Sequence, residues 1–260
     1  MSFRKIVAHL FYSTTNFSVR GGHSMDKTTK RATFQRVVVT VLALAVAPFL
    51  IAGCLSSTGG TTRTKDFLDL VIAGTPQDVR TAISNGADLK ARNEGGDTAL
   101  ILAASYNKSP EVISILLKAG ADLEAKNADD RTALILAAMN NGNPEVIATL
   151  LEAGADKDAR DREYGMTALM RAAMDNGNPE VVATLLKAGA DLEAKSENGK
   201  TALILAAMGT GNPEVIMVLL NAGAEAQAKD NTGQTAVYYA RYNANLKGTD
   251  ALRKLEEASR

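Results

Sequence analysis

Cysteine and histidine are scarce in this sequence of 260 residues, which contains one cysteine and two histidines. A single cysteine cannot form an internal disulfide, so the chain is not a disulfide-stapled scaffold. Both histidines, His9 and His23, precede the cysteine, Cys54. The chain beyond Cys54 therefore lacks the residues for a Cys–His or Ser–His–Asp nucleophile system and for a zinc site built on histidine or cysteine.

The sequence also lacks an excess of charge, since its formal net charge at pH 7 is zero. The first 53 residues carry seven basic residues and one acidic residue, whereas acidic residues outnumber basic ones by 28 to 22 from Cys54 onward. A mildly acidic body argues against nucleic acid as a partner, because nucleic acid requires a basic face. No glycine-rich phosphate loop is present either. We therefore expect no enzyme activity, no cofactor and no metal site.

An apolar run stands directly before Cys54. Residues 27–36, KTTKRATFQR, are basic and polar, and residues 37–52, VVVTVLALAVAPFLIA, are almost wholly apolar. This order is typical of a secretory signal. The sequence IAGC that ends at Cys54 resembles the lipobox of bacterial lipoproteins, which implies cleavage before Cys54 and acylation of its thiol and its new amino group. Several acyl chains anchor a protein firmly, since each buried methylene contributes about 0.8 kcal/mol.

A membrane-spanning helix is the alternative interpretation of this run. The run has 16 residues and is interrupted by Pro48, whereas a helix needs roughly 20 residues to span a bilayer. Leu55 follows the cysteine in place of aspartate, which resembles the outer-membrane address of enterobacterial lipoproteins. We therefore expect a lipid-anchored protein of the bacterial periplasm, held in the inner leaflet of the outer membrane.

The chain before the folded body divides into three segments. Residues 1–24 form a mixed leader ahead of Met25, and we expect translation to begin mainly at Met25. Residues 25–53 are expected to be the lipoprotein signal peptide. Residues 54–65 include the Ser/Thr/Gly-rich stretch SSTGGTTRT and are expected to form a flexible tether.

The remainder of the sequence is a repeat. The stretch TALILAA begins at Thr98, Thr132 and Thr201, and variants of it begin at Thr167 and Thr235, with spacings of 34, 35, 34 and 34 residues. The first four copies each continue into Pro-Glu-Val and then into two leucines, one variable residue and Ala-Gly-Ala. One loop position has an acidic residue in every copy, which is better explained by structure than by catalysis: Asp88, Asp122, Asp156 and Asp191, with Glu225 in the last copy.

The repeat predicts two helices per copy. TALILAA has apolar and small residues at helical spacing. The second helix has asparagine as its N-cap at Asn143, Asn178 and Asn212, with Ser109 in the same role in the first copy. A proline then suits the first helical position, and a glycine after the leucines suits a left-handed C-cap.

These motifs closely resemble the ankyrin repeat. TALILAA stands where the family has Thr-Pro-Leu-His-Leu-Ala-Ala, and LLKAGADLEAK stands where it has Leu-Leu-x-x-Gly-Ala-Asp-Val-Asn-Ala. The resemblance implies an all-α solenoid of helix–turn–helix repeats with protruding loop or β-turn fingers. We expect an N-terminal cap at 66–97, full repeats at 98–131, 132–166, 167–200 and 201–234, and a C-terminal cap at 235–260. An extra residue lengthens the loop at 160–167, so that this finger should protrude or bend differently.

In the ankyrin family, partners contact the finger tips and the inner-helix face, which implies a binding surface here. Arg171 replaces the leucine of the other full repeats, and Met139, Met174 and Met208 recur beside it. Arginine and aromatic residues are favoured interface anchors, and methionine makes adaptable contacts. The candidate partner-binding residues are Tyr106, Arg131, Met139, Asn140, Arg162, Tyr164, Arg171, Met174, Asp175, Lys200 and Met208.

A purely structural explanation stays open for these residues. The methionines then pack the seam between repeats, and Arg171 extends to water along its apolar stem. If Arg171 is instead an anchor, replacing it by alanine should weaken partner binding without unfolding the solenoid. Tyr238 and Tyr239 are expected to cover the core of the last repeat.

The sequence therefore predicts non-catalytic recognition of one protein partner by a chain that is monomeric when free. Lipid-anchored and periplasmic ankyrin proteins resemble immunity proteins, which neutralise secreted antibacterial toxins such as the phospholipases of type VI secretion. The alternative is an ankyrin scaffold lipoprotein that localises or regulates an envelope enzyme. In both interpretations the lipid at Cys54 is the membrane contact.

Overall fold

The computed structural model describes residues 64–209 and 212–260. Cys54, the predicted signal peptide and nearly all of the predicted tether lie outside the described residues. The helices of the described part are α1 (Thr64–Ala73), α2 (Pro76–Ser84), α3 (Ala99–Tyr106), α4 (Pro110–Lys118), α5 (Ala133–Asn140), α6 (Pro144–Glu152), α7 (Ala168–Arg171), a π-helical segment (Ala172–Asn176), α8 (Pro179–Lys187), α9 (Ala202–Met208), α10 (Pro213–Asn221), α11 (Ala236–Tyr242) and α12 (Asp250–Ala258). None of these helices is long and apolar enough to cross a bilayer. The first described helix, α1, begins at Thr64, within the last two residues of the segment predicted as a tether.

The helices stack in two layers. The first helices of successive copies are α1, α3, α5, α7 with the π segment, α9 and α11, and each contacts the next in this series. The second helices, α2, α4, α6, α8, α10 and α12, form the other layer in the same way. Such contacts between neighbouring copies define a solenoid, and they confirm the predicted all-α repeat fold.

The TALILAA stretches become buried first helices. The threonines that begin them accept a hydrogen bond from the backbone N–H three residues on, at Thr98, Thr132, Thr167 and Thr201. This bond satisfies one of the free donors at the start of each helix. The alanines that follow are almost completely buried, and their small side chains let neighbouring first helices approach closely. The main apolar core runs along the stack between the two layers.

The second helices begin and end largely as predicted. A proline lies in the first turn of α2, α4, α6, α8 and α10. Asn143, Asn178 and Asn212 each accept a capping hydrogen bond from the backbone N–H two residues on. The prediction for Ser109 is wrong, because its side chain makes no capping bond. The glycine after each helix has a positive φ, for example 92° at Gly154, which residues with a β-carbon rarely adopt.

A further set of asparagines, at the C-terminal ends of the first helices, joins copies to the ones before them. The Nδ2 atom of Asn141 donates to the carbonyl oxygens of Ala104 and Asn107, both at 2.9 Å. Asn107 and Asn176 bridge to the copies before them in the same way. The acceptors lie at helix ends, where carbonyl groups have no partner within the helix. These side chains therefore connect the repeats through polar groups that the core itself leaves unpaired.

Replacing Asn141 by alanine is expected to lower the free energy of unfolding by about 2 kcal/mol, because two buried carbonyl oxygens lose their donor. Asn140 is the matched control, since it is adjacent in sequence and exposed. Asn140→Ala is expected to change the stability by less than about 0.5 kcal/mol. Chemical denaturation of both variants measures the difference, and equal losses would contradict the bridging role of Asn141.

A backbone ladder joins the fingers between the copies. The N–H groups of Ala128, Arg162, Glu197 and Asn231 each donate to a carbonyl oxygen of the preceding finger, at 2.8–3.1 Å. The finger at 160–167 takes up its extra residue in a turn that Asp161 closes. The Oδ1 atom of Asp161 accepts from the N–H of Tyr164 at 3.2 Å and from that of Met166 at 3.0 Å. The lengthened finger therefore keeps its ladder bonds to both neighbours.

Candidate functional site

A buried ion network joins two fingers to the first helix of the third copy. We use this name for the six residues Asp129, Arg131, Asp161, Glu163, Arg171 and Asp175. Arg171 donates from Nε to Asp161 Oδ2 at 2.7 Å and from Nη2 to the same oxygen. Its Nη1 lies 3.3 Å from the carboxylate of Asp175, one turn further along the chain. Its Nη2 also lies 3.5 Å from Glu163 Oε2.

Arg131 enters the network from the preceding finger. Its Nη2 donates to Glu163 Oε2 at 2.7 Å, and its Nη1 lies 3.2 Å from Asp129 Oδ2. Its Nε lies 4.0 Å from Asp161 Oδ2 and has no hydrogen-bond partner. The two arginines therefore share Asp161 and Glu163 as partners, and these contacts connect the fingers at 127–131 and 160–164.

The ion network buries both arginines and Asp161, and its other three carboxylates reach the surface. The side chains of Arg131 and Arg171 are 7% and 5% exposed, and that of Asp161 is fully buried. The other three carboxylates are 58%, 42% and 25% exposed, at Asp129, Glu163 and Asp175. Because four carboxylates face two arginines, the network has a net negative charge, and that charge lies toward solvent.

These contacts correct the prediction for Arg171. Its side chain neither extends to water nor stands out as an exposed anchor, because Asp161 holds it inside the solenoid. Burial by itself lowers the pKa of Arg171, but the charges and hydrogen bonds of Asp161 and Asp175 raise the pKa above its ordinary value. Arg131, also predicted at a contact surface, is buried as well.

The last copy contains a related arrangement around Asp230. Its Oδ2 accepts from Lys200 Nζ at 2.9 Å and from the Tyr239 hydroxyl at 2.5 Å. Tyr239 stands four residues after Thr235, as Arg171 stands four residues after Thr167. The side chain of Lys200 is mostly buried, with 14% of it exposed. Tyr239 packs against the core as predicted, whereas Tyr238 is 42% exposed.

Hydrogen bonds favour the charged forms of Asp230 and Lys200. Burial by itself raises the pKa of Asp230, but the bonds from Tyr239, Thr232 and Lys200 lower it well below its ordinary value. Burial lowers the pKa of Lys200, and its bond to Asp230 raises it above the ordinary value. Both groups are therefore charged at neutral pH.

The depressed pKa of Asp230 makes a stabilising contribution that depends on pH. This contribution is complete above the unfolded-state pKa of about 3.9 and is lost as the pH falls below it toward the folded-state pKa. Lys200 acts in the opposite sense, and its contribution is lost above about pH 10.4.

Asp230→Asn is expected to be less stable than the natural protein at pH 7. The difference in the free energy of unfolding between the two proteins should narrow by about 1 kcal/mol between pH 5 and pH 3. Denaturation at both pH values measures the gap, and a constant gap would contradict the assignment.

The remaining predicted residues differ in their exposure. Tyr106 and Met208 are each 38% exposed, and Asn140 is exposed at the end of α5. Arg162 is exposed at its finger tip and pairs with Asp130, with Nε 2.8 Å from Oδ2. Met139 packs partly against the main core. The predicted surface is therefore a mixture of accessible side chains and buried structural ones.

Met174 and Tyr164 lie over a small apolar cluster of their own. The cluster is formed by Met166, Met170, Ala194 and Leu205, and both side chains pack against it while staying partly exposed. Met174 belongs to the π-helical segment, and Gly209 lies directly against its backbone carbonyl, where a β-carbon would collide. This close approach brings the end of α9, with Met208, next to Met174.

The family model described as "Ankyrin repeats (3 copies)" matches residues 69–161 and 169–258, together well over half of the chain. The chain belongs to the ankyrin-repeat family. Ankyrin repeats indicate a scaffold for protein–protein interaction, and proteins of this family are generally non-catalytic. No curated protein matches this ankyrin-repeat sequence.

Sequence reasoning missed Asp161 and Glu163, although one signal was available for Asp161. The corresponding position in the fingers of the other copies is Asn93, Asn127, Ser196 or Asp230. The two aspartates occur in the two fingers that directly precede a first helix with a polar residue, Arg171 or Tyr239, in place of leucine. Comparing the copies of this ankyrin-repeat protein with one another therefore predicts both buried pairs.

Proposed function

We propose that this ankyrin-repeat protein is a lipid-anchored protein of the bacterial envelope that binds one secreted antibacterial toxin, such as a phospholipase, and blocks its active or membrane-docking surface. The observation that carries the proposal is a set of accessible side chains, including Tyr106, Met208 and Arg162, on a solenoid whose fingers are bonded to one another. A pre-ordered surface loses little conformational entropy on binding, which favours tight recognition.

The lipobox-like sequence at Cys54 supports the choice of partner. A lipid anchor would hold the inhibitor at the membrane, where a lipase meets its substrate. The chain beyond Cys54 has no histidine, which suits recognition better than hydrolysis.

The test is affinity capture from detergent-solubilised envelope, with the full chain carrying a C-terminal tag and expressed in its own host. Mass spectrometry identifies the bound protein, and an envelope from cells that express the tag alone is the control. We expect a toxin-like hydrolase that is inactive in the complex and recovers activity when released. An envelope enzyme that stays active when bound would contradict occlusion and would support a scaffold lipoprotein.

A further inference from the structure

A row of methionines crosses three stacked copies beside the ion network. Met139, Met174 and Met208 each stand seven residues after the threonine that begins their copy. The first helices that carry them contact one another in the stack, and Gly209 places the third beside the second. We call these three residues the methionine row. All three are partly or clearly exposed.

The methionine row offers an adaptable apolar surface. Methionine has an unbranched, polarisable side chain that adjusts to the shape of a partner. Met174 and the neighbouring Tyr164 rest on the small apolar cluster around Met170, so the row has support beneath it. Such a surface suits large apolar side chains that project from one face of a helix.

Acidic residues border the methionine row. Asp175 follows Met174 in the chain, and both Asp175 and Glu163 contact the guanidinium of Arg171. These two carboxylates and Asp129 are the exposed members of the ion network, and we call them the acidic rim. A ligand that approaches the row meets the acidic rim, because the arginines lie beneath it. This finger has two exposed cations: Arg162 is paired with Asp130, and Arg160 donates to the backbone carbonyl oxygens of Gly165 and Lys195.

We propose that the methionine row and the acidic rim bind a basic amphipathic segment of the protein partner. Its apolar face covers the methionines, and its lysines or arginines meet the rim carboxylates. Apolar grooves bind amphipathic helices through their apolar face, and complementary charges favour the correct partner and orientation. This inference rests on the proposed protein-binding function and specifies the chemistry of the partner.

The test uses three synthetic peptides of about 18 residues, or five helical turns. The first has leucine on one helical face and lysine on the other, the second has glutamate in place of lysine, and the third has serine in place of leucine. Each is titrated against the full chain in phosphatidylcholine nanodiscs, with empty nanodiscs as the blank. The Leu/Lys peptide is expected to bind about tenfold more tightly than either of the others.

Matched variants locate the binding site. Asp129→Asn with Glu163→Gln neutralises two of the three carboxylates of the acidic rim while keeping hydrogen-bond acceptors for Arg131, and it is expected to weaken binding of the Leu/Lys peptide about fivefold. Glu145→Gln with Glu152→Gln is the control, since it removes the same charge from exposed positions of α6. Met208→Ser is expected to weaken binding of the same peptide about fivefold, because apolar contact is lost. Circular dichroism confirms that the variants are folded.

Three outcomes would overturn the inference. The first is equal affinity for the Leu/Lys and Leu/Glu peptides, and the second is equal affinity for the Leu/Lys peptide and the peptide with serine in place of leucine. The third is equal weakening of Leu/Lys peptide binding by the rim variant and its control. A captured natural partner that binds the rim variant and Met208→Ser with the same affinity as the natural protein would also overturn the inference. That result would leave the proposed function intact. If no protein partner is captured at all, the proposed function itself fails.

Discussion

Arg171→Ala is expected to lower the free energy of unfolding by about 3–5 kcal/mol, because the variant leaves Asp161 as a buried charge without its main partner. Asp161 is fully buried, and the Nε of Arg131, at 4.0 Å, is too far away to replace the lost hydrogen bonds. Urea denaturation followed by circular dichroism measures the loss. A change below about 1 kcal/mol would contradict the buried pair, since that is the usual scale for an exposed one.

The sequence of the protein supplies the matched control for Arg171→Ala. One repeat earlier in the chain, Asn127 and Leu136 stand at the positions of Asp161 and Arg171. The Oδ1 atom of Asn127 accepts two backbone N–H bonds in its finger, as that of Asp161 does. The double variant Asp161→Asn with Arg171→Leu is therefore expected to lie within about 1 kcal/mol of the natural protein. If it is as unstable as Arg171→Ala, the loss arises from poor packing and not from the unpaired charge.

This prediction replaces the one made from the sequence, which expected Arg171→Ala to weaken binding without unfolding the solenoid. Arg171 lies inside the stack, so its removal acts first on the finger that Asp161 closes. Any weaker binding in that variant would follow from displacement of the finger. The double variant separates the two effects, because it restores the fold without restoring the arginine.

Cys54→Ser is expected to abolish lipid modification completely. The serine hydroxyl does not replace the thiol that the lipobox resemblance assigns as the acylated group, so neither cleavage before residue 54 nor acylation should follow. Growth with tritiated palmitate, followed by capture of the tagged protein, measures the loss of label. The intact mass should rise to that of the uncleaved precursor. A natural protein that takes up no label would instead support the membrane-spanning interpretation of residues 37–52.

Leu55→Asp is the matched control for Cys54→Ser. It changes the residue that follows the cysteine and leaves Cys54 in place. The variant is expected to keep its full palmitate label and to move from the outer to the inner membrane. Separation of the two membranes on a density gradient measures this move. Loss of label in Leu55→Asp would show that the substitution disturbs the signal itself, so the sorting prediction would fail.

The helices were predictable from short stretches of the sequence, and the ion network was not. A cap such as Asn143 bonds to a group two residues away, so its role follows from local order alone. The contact between Arg131 and Glu163 spans 32 residues, and it forms only because the fingers of successive copies are bonded side by side. Local order also gave one wrong prediction, because Ser109 stands at a cap position but its side chain makes no capping bond.

The sequence by itself determined the pair of helices in each full repeat, because caps, prolines, glycines and apolar spacing act within a few residues. It also excluded histidine-based zinc sites and nucleophile systems from the chain beyond Cys54, because that part of the sequence has no histidine. Only the tertiary structure decided which predicted surface residues are accessible. Arg131 and Arg171 look like surface charges in the sequence, but the stacking of fingers and first helices encloses them with Asp161. Exposure depends on neighbours from other copies, and those neighbours are brought together only when the solenoid forms.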